Sequence, residues 1–330
     1  MTLKEVAAEL GVSPSIVSRV LNGYTRNFSI PEELRQRILD KVAESGYRAN
    51  PVFRSLSSRN NRHISFLFHG RSVHRAGVPV IEALDRIGEI LEKNKYDFGY
   101  TFCRLERGAK FTLPHLKSAA IVIADSIGRE QFELLEESKI PYVCINGPCG
   151  AAGCSVISDE RTNTRLIMEH LYNLGHRRIG YLNYAPDPHY SVAEREQTFE
   201  AFCRERNLPL LEGRETTVEP VAGRLVRFRA QGATAIVTYD DTLAMQLLAA
   251  AWSLGIRIPQ ELSVITFNNP PALEYTIPAL SGLEIPGWEM GEIAAETVMK
   301  KAGEPGYMNG GEIRLPGELS LRGSTAQLTD

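Results

Sequence analysis

A chain of 330 residues is too long for one compact core and predicts two or three folded units, each able to bury an adequate interior. No apolar run approaches membrane-spanning length, and the five cysteines (Cys103, Cys144, Cys149, Cys154, Cys203) are odd in number and form no CxxC pair, which points to a reducing cytosol. Charge is split: Met1 to Arg62 carries ten Lys and Arg against six Asp and Glu, the remainder 27 against 34, so a basic head precedes an acidic body, as suits a protein whose head alone approaches phosphate.

Met1 leads directly into a charged first helix with no apolar core segment, so no secretory signal is expected. Leu3, Val6, Ala7 and Leu10 recur at helical spacing, and Gly11 stands where a first helix must stop and reverse. Ser13 and Pro14 supply an N-cap and a first helical residue for a second helix, whose buried stripe is Val12, Ile16, Val17, Val20 and Leu21. Ser15, Ser18, Arg19 and Asn22 occupy its other face, short polar groups and one guanidinium that suit a recognition helix in a DNA major groove. An ordinary antiparallel helix pair is the alternative for this pattern alone. A third amphipathic helix spans Pro31 to Ser45.

The segment from Gly46 to Asn61 is a joint. Pro51 to Ser58 reads as one short helix opening with proline, before the polar Arg59-Asn60-Asn61-Arg62, and a helix so short is marginal in isolation. A flexible linker is the alternative.

Beyond Arg62, short apolar runs (Ile64 to Phe68, Ala119 to Ala124, Tyr142 to Ile145, Ile179 to Leu182, Ala235 to Thr238, Ser263 to Phe267) alternate with amphipathic helices. The helices are Val80 to Lys93, Arg129 to Glu137, Thr162 to Leu174, Ala193 to Arg206, Thr242 to Leu254 and Trp288 to Lys301. Two successive sets of this kind predict two doubly wound parallel-sheet subdomains, with ligands beyond the carboxyl ends of the strands. Only Cys103 to Ser118 separates the second and third strands of the first lobe, so a short edge helix is expected to be missing there.

Enzymatic readings find little support. No GxGxxG follows the first strand, no GxxxxGK[ST] occurs, and Gly147 to Gly153 opens no helix, so it reads as a plain loop. His176, just past a helix end, reads as a cap or structural hydrogen bond, and Asp240-Asp241 as cleft lining or a helix N-cap. Cys144, Cys149 and Cys154 recur at five-residue spacing without a fourth ligand at finger spacing, so neither metal nor cofactor is expected.

The run TLKEVAAELGVSPSIVSRVLNG, the third helix and GYRANPVFRSL together resemble the headpiece and hinge of the lactose-repressor (LacI/GalR) family of bacterial transcription regulators. LYNLGHRRIGYLN, AEREQTFEAF, IPQELSVITF and LPGELSLRGST carry the resemblance through nearly the whole chain. It implies a headpiece at residues 1–49, a hinge at 50–61 and a periplasmic-binding-protein-like core at 62–330. The N-subdomain would hold 62–175 and 283–312, the C-subdomain 176–282 and 313–330.

The same resemblance assigns DNA contacts to Leu3, Ser13, Pro14, Ser15, Ser18, Arg19, Asn22, Tyr47, Asn50, Val52, Arg54 and Leu56, the last a leucine wedged into the minor groove. It assigns contacts with an effector between the lobes to Arg195, Tyr239, Asp240, Asn268 and Trp288. Departures are Phe53 for a small residue, Pro31 for a serine, Leu34 for a threonine, a longer Gly23–Ser29 loop, Val218 for an indole and Asn268 for an aspartate. Tyr184, Tyr190, Phe267 or Trp288 is left to supply an aromatic platform, and Asn268 opens the way to a sugar of different stereochemistry or one bearing an anionic group.

The expectation is a cytosolic homodimer that binds pseudo-palindromic operator DNA, represses carbohydrate-utilisation genes and responds to a sugar or sugar derivative, without catalysis. No leucine heptad tail predicts a tetramer. A solute-binding protein serving transport is the runner-up, opposed by the headpiece and the missing signal peptide, and a nucleotide-dependent enzyme is a third reading.

Overall fold

Gly11 sets the geometry of the first unit. The structure, a computed structural model, describes residues 3–21, 30–45, 62–69, 77–103, 120–124, 129–183, 189–211, 219–302 and 310–328, in two units, Met1–His63 and Ile64–Asp330. Helix α1 (Leu3–Glu9) ends at Gly11, whose φ of 65° is left-handed, and the Val12 N–H closes the turn on the Ala7 carbonyl at 3.0 Å. Helix α2 (Pro14–Leu21) then starts with the Ser13 carbonyl accepting the Ile16 N–H at 2.9 Å. Helix α3 (Glu32–Ser45) completes the unit. Val6, Ala7, Val17, Val20 and Ile38 are buried between the three helices, with Leu3, Val12, Ile16 and Leu21 half-buried around them. The stripe expected on α2 is thus the one that packs. The hinge and the Gly23–Ser29 loop lie outside the described residues.

The second unit contains two sheets. Strands β1 (His63–His69), β2 (Asp97–Cys103), β3 (Ala120–Ala124), β4 (Tyr142–Ile145), β5 (Cys154–Ser158) and β10 (Gly311–Leu315) form the first, in the order β10-β5-β4-β3-β1-β2. Strands β6 (Ile179–Leu182), β7 (Ala235–Thr238), β8 (Ser263–Phe267), β9 (Ser281–Glu284) and β11 (Glu318–Ser320) form the second, in the order β11-β9-β8-β7-β6. The pairs from β6 to β9 are parallel, and β11 runs antiparallel on β9 as an edge strand. Buried β-branched runs such as Ala235-Ile236-Val237-Thr238 are the pattern demanded of strands covered on both faces.

Helix α4 (Val78–Lys93) and helix α10 (Gly287–Lys301) pack on each other, α10 lying against β3, β4 and β5. Their approach is so close that a Cβ on Gly291 would lie 2.4 Å from the Ala83 carbonyl oxygen, so only glycine fits there. Helix α5 (Arg129–Ser138) covers the other face through Leu135, which joins Leu67, Tyr142 and Cys144 in a small cluster. Helix α6 (Glu160–Asn173) packs along α7 (Tyr190–Glu205), and α8 (Val221–Ala230) along α9 (Asp241–Ser253).

The chain passes between the sheets after β5, between β9 and α10, and between β10 and β11. The first pass lies earlier than the expected 175/176 boundary. Helix α6 belongs with the second sheet, since it packs along α7 and touches β11. Residues 313–315, expected in the C-subdomain, stay in the first sheet as the end of β10. Helical periodicity shows that a segment has an apolar face, but not which sheet that face covers. Segment 104–119, where an edge helix was expected to be missing, lies outside the described residues.

His176 is a structural clamp. It is buried, its Nδ1 2.9 Å from Thr234 Oγ1 and its Nε2 3.0 Å from Ser263 Oγ and 3.1 Å from the Ala326 carbonyl, so it ties the end of α6 to the second sheet and the C-terminal segment. Burial, reinforced by His170 and Arg177, outweighs the Ala326 bond and holds its pKa below the ordinary histidine value. A depressed histidine pKa means that the unfolded chain binds more protons. The stability this provides is present above about 6.5 and is lost as pH falls through the lower native value. Thermal melts across this window should show declining stability, with His176→Gln flattening the slope; an unaltered slope in the variant would rule His176 out as its source.

Candidate functional site

Two sets of polar side chains stand apart from the cores. On α2, Ser15 and Arg19 are exposed and Ser18 is half-buried, on the face turned away from Val17 and Val20. Ser13 sits at the N-cap position, but its hydroxyl pairs with Ser15 Oγ at 2.8 Å. Pro14 opens the helix as expected, and Leu3 packs against the headpiece core. Lys41 Nζ reaches Glu9 at 2.7 Å, tying α3 to α1 behind the recognition face. Asn22, Tyr47, Asn50, Val52, Arg54 and Leu56 lie outside the described residues.

The second set converges where the carboxyl ends of β5, β7 and β8 meet the first turns of α6 and α7. Arg195 projects from α7 and is only 4% exposed. Its Nε and Nη2 donate to Glu160 Oε2 and Oε1 at 2.5 and 2.9 Å, and its Nη1 donates to the Tyr239 carbonyl at 2.7 Å. The guanidinium lies 4.0 Å from the Phe267 ring centroid and 4.8 Å from that of Tyr239. Burial opposes the charge on Arg195, but the Glu160 carboxylate outweighs it and holds the pKa above the ordinary arginine value.

Sequence reading placed Arg195 here as a set of donors for a ligand. The structure instead commits three of its N–H groups to the protein, and the partner that takes two of them was missed. The sequence pattern starts this helix at Thr162, which leaves Glu160 outside it. It begins two residues earlier, with Asp159 accepting the Thr162 N–H at 3.1 Å as N-cap. The signal was present as Asp159-Glu160 after a strand, the pattern of a capped first turn.

Tyr239 reaches the site: its hydroxyl is 2.7 Å from Ser191 Oγ on α7. Asp240 acts as N-cap of α9, accepting the Leu243 N–H at 2.8 Å. Asn268 follows β8 with a left-handed φ of 66°, and its Nδ2 donates to Asp241 Oδ1 at 3.2 Å. Among the described residues, no hydrogen bond or ring contact joins Trp288 to this cluster. It is 40% exposed at the start of α10, with Arg86 of α4 stacked 4.9 Å from its ring centroid. Of the candidate platforms, Phe267 underlies Arg195, while Tyr184 lies outside the described residues. Tyr181 and Tyr190 add hydroxyls that are buried with no hydrogen-bond partner; the one on Tyr190 approaches the Ser158 amide without bonding geometry. Burial pushes both phenols, and that of Tyr239, above the ordinary value, so all three stay protonated.

Both lobes contribute. His189, at the start of α7, has its Nε2 2.9 Å from the carbonyl of Asn146, which follows β4 in the first sheet. Arg314 of β10 grips Glu194 of α7 with two bonds of 2.6 and 2.9 Å. A Cβ on Gly77, just before α4, would lie 3.9 Å from Asn268 Nδ2. Hydroxyls, a paired guanidinium and aromatic faces at a lobe junction suit recognition of a small polar ring. Among the described residues, no group of three or more His, Cys, Asp and Glu side chains is placed to hold a metal ion.

Residues 2–50 match the family model for bacterial regulatory proteins of the lacI family, and residues 168–325 match that for a periplasmic binding protein-like domain. The chain is 26% identical over 309 residues to the HTH-type transcriptional regulator GntR of Pseudomonas aeruginosa, covering 90% of this chain and 88% of that one. In fold it is similar to the lac repressor dimer bound to operator and the anti-inducer ONPF, with a TM-score of 0.77 at 16% identity and 99% of each chain covered. It is also similar to the transcriptional regulator CelR in complex with cellobiose, with a TM-score of 0.66 at 19% identity, covering 98% and 99% of the two chains.

Removing one member of a buried ion pair leaves an uncompensated charge, which costs about 3 to 5 kcal/mol, whereas replacing both by apolar groups of similar size is near neutral. Arg195→Met and Glu160→Leu should therefore each lower the denaturant midpoint sharply, and the double variant should recover most of the loss. Additive losses in the double-mutant cycle would show that the pair does not act as a unit.

Proposed function

The chain belongs to the lacI family of bacterial regulatory proteins and is a DNA-binding transcriptional regulator, and we propose that a small hydroxylated molecule held between its two lobes controls its grip on operator DNA. The observation that carries this reading is the joining, in one chain, of a helix-turn-helix unit to a core whose two sheets converge on the Arg195 cluster. A transport role, the alternative, leaves the headpiece without a task. The cleft is given a binding role and no catalysis, because its buried carboxylate, Glu160, is already held by Arg195. Sugars are the favoured effectors: paired hydroxyls at Tyr239 and Ser191 and the Asn268 carboxamide match a polyhydroxylated ring. The complex of CelR with cellobiose supports that class, and repression of carbohydrate-utilisation genes follows from it as part of the proposal.

On the DNA side, Ser15, Ser18 and Arg19 are proposed to read base edges, with Leu56 of the hinge as a minor-groove wedge. Among the described residues, no helix is long and apolar enough to cross a membrane, and a cytosolic location is proposed. One headpiece reads too few base pairs for useful specificity, so the working form is proposed to be a homodimer on a two-fold operator. The second lobe offers a surface for it. Met245, Leu248 and Trp252 lie at helical spacing along α9, Trp252 being 87% exposed, and beyond β8 Tyr275, at the end of a 3-10 turn, and Ile277 are 82% and 94% exposed.

Arg19→Ala should weaken binding to the cognate site by about 1 to 3 kcal/mol, the worth of a bidentate contact to guanine, while leaving non-specific binding less affected. Fluorescence anisotropy on operator and scrambled duplexes measures this, and equal affinity of variant and parent for operator would show that another face reads DNA. Trp252→Asp combined with Ile277→Asp should convert the dimer to monomer in analytical ultracentrifugation and weaken operator binding. A variant that sediments like the parent would place the dimer surface elsewhere.

A further inference from the structure

An arginine buried where two lobes meet invites reading as a grip for an anionic ligand. In this chain the ion pair is complete without one. Glu160 is 1% exposed and Arg195 4%, and the carboxylate takes the guanidinium through two bonds. The other cation joining the lobes, Arg314, is likewise matched, by Glu194 and Glu312. Asp240 and Asp241 add two carboxylates beyond the end of β7, one capping α9 and one accepting from Asn268. Among the described residues, an anion entering here would meet four carboxylates, Glu160, Glu194, Asp240 and Asp241, and the two cations described at the junction, Arg195 and Arg314, are already paired.

Among the described residues, the side chains around the pair that lack partners are neutral. The Tyr181 and Tyr190 hydroxyls lack partners, both lie within electrostatic reach of Glu160 and Arg195, and burial keeps both protonated. Each can donate to, or accept from, a hydroxyl. The two N–H groups of Arg195 beyond its three bonds can donate to a neutral oxygen without splitting the pair. We infer that the cleft selects an uncharged polyhydroxylated molecule, a neutral sugar, and that Glu160 is the residue that rejects sugar phosphates and sugar acids. This rests on the reading of the cleft as the effector site. It closes the anionic option that Asn268 alone left open, because the charge balance is set by Glu160.

The test uses the full chain and inorganic phosphate as the anion probe at constant ionic strength. The parent should show no saturable rise in melting temperature with phosphate. Glu160→Gln keeps the shape but uncovers the guanidinium. It should melt lower alone and gain saturable phosphate binding, tighter than the parent's by about tenfold or more, a gain that the added change Arg195→Met abolishes. Should Glu160→Gln fail to fold, the parent still decides the matter through a panel of neutral hexoses, pentoses and disaccharides set beside their phosphates and uronic acids, read by operator release. Operator affinity should respond to a neutral member and to no charged one. Saturable phosphate binding by the parent that Arg195→Met removes, or a response to a sugar phosphate or uronate, would overturn the inference. Failure of the effector reading itself looks different: operator affinity unaltered by any sugar of either charge, which also withdraws the assignment of an effector class.

Discussion

The buried Glu160–Arg195 pair is the interaction on which the arrangement of the core rests. Desolvating a carboxylate and a guanidinium is expensive, and the cost is offset only when geometry is good and the remaining donors are engaged. Both conditions hold: the contact is bidentate, a third bond runs to the Tyr239 carbonyl, and Phe267 and Tyr239 lie close to the guanidinium. Because Glu160 opens α6 directly after β5 and Arg195 lies on α7, the pair pins the first pass between the sheets to the carboxyl ends of β7 and β8. A buried pair of this kind is weak evidence of net stability. Its consequence is positional, since moving α6 away from α7 would leave two buried charges uncompensated.

Around this point the last pass, between β10 and β11, is tied down by direct bonds. Asn163 of α6 accepts the Gly317 N–H at 2.7 Å between β10 and β11, and Arg314 holds Glu194 across the lobes. A ligand at the junction therefore acts on elements of both sheets. It can alter DNA affinity only by as much as it prefers the DNA-competent arrangement of the lobes to the incompetent one. Groups reaching in from both sides, such as Tyr239 from one lobe and the Asn146 segment held by His189 from the other, provide the means for such a preference.

Much of the fold was legible because it rests on local signals. Gly11 marked the headpiece turn through its need for positive φ, and the continuous apolar runs at 142–145, 179–182, 235–238 and 263–267 became strands with those bounds. What escaped was set by tertiary context. Strand β5, Cys-Ser-Val-Ile-Ser, is wholly buried yet alternates with serines whose hydroxyls find partners only in the folded state: Ser155 with the Gly147 carbonyl and Ser158 with Asn163. Helix α8 carries three arginines in ten residues, and one of them, Arg224, is buried with Nη1 donating to the Asn183 carbonyl. Strand β10 has no buried residue to betray it. In the site, Arg195, Tyr239 and Asn268 were legible by position, but their partners were not, because Glu160, Ser191 and Asp241 are joined to them only by folding.

Asn268 shows how such partners change the meaning of a substitution. Read alone, an amide in place of a carboxylate is a statement about the ligand. In the structure its Nδ2 donates to Asp241 Oδ1 at 3.2 Å. A carboxylate at residue 268 would face the Asp241 carboxylate at that separation, a repulsion on the order of a few kcal/mol at the effective dielectric of a partly buried site. The left-handed backbone at residue 268 is one that Asn adopts readily, and Asp hardly less so, so conformation does not choose between them. Electrostatics does: the amide turns a like-charge clash with Asp241 into a hydrogen bond. The departure at 268 is thus explained inside the protein, by its neighbour on α9.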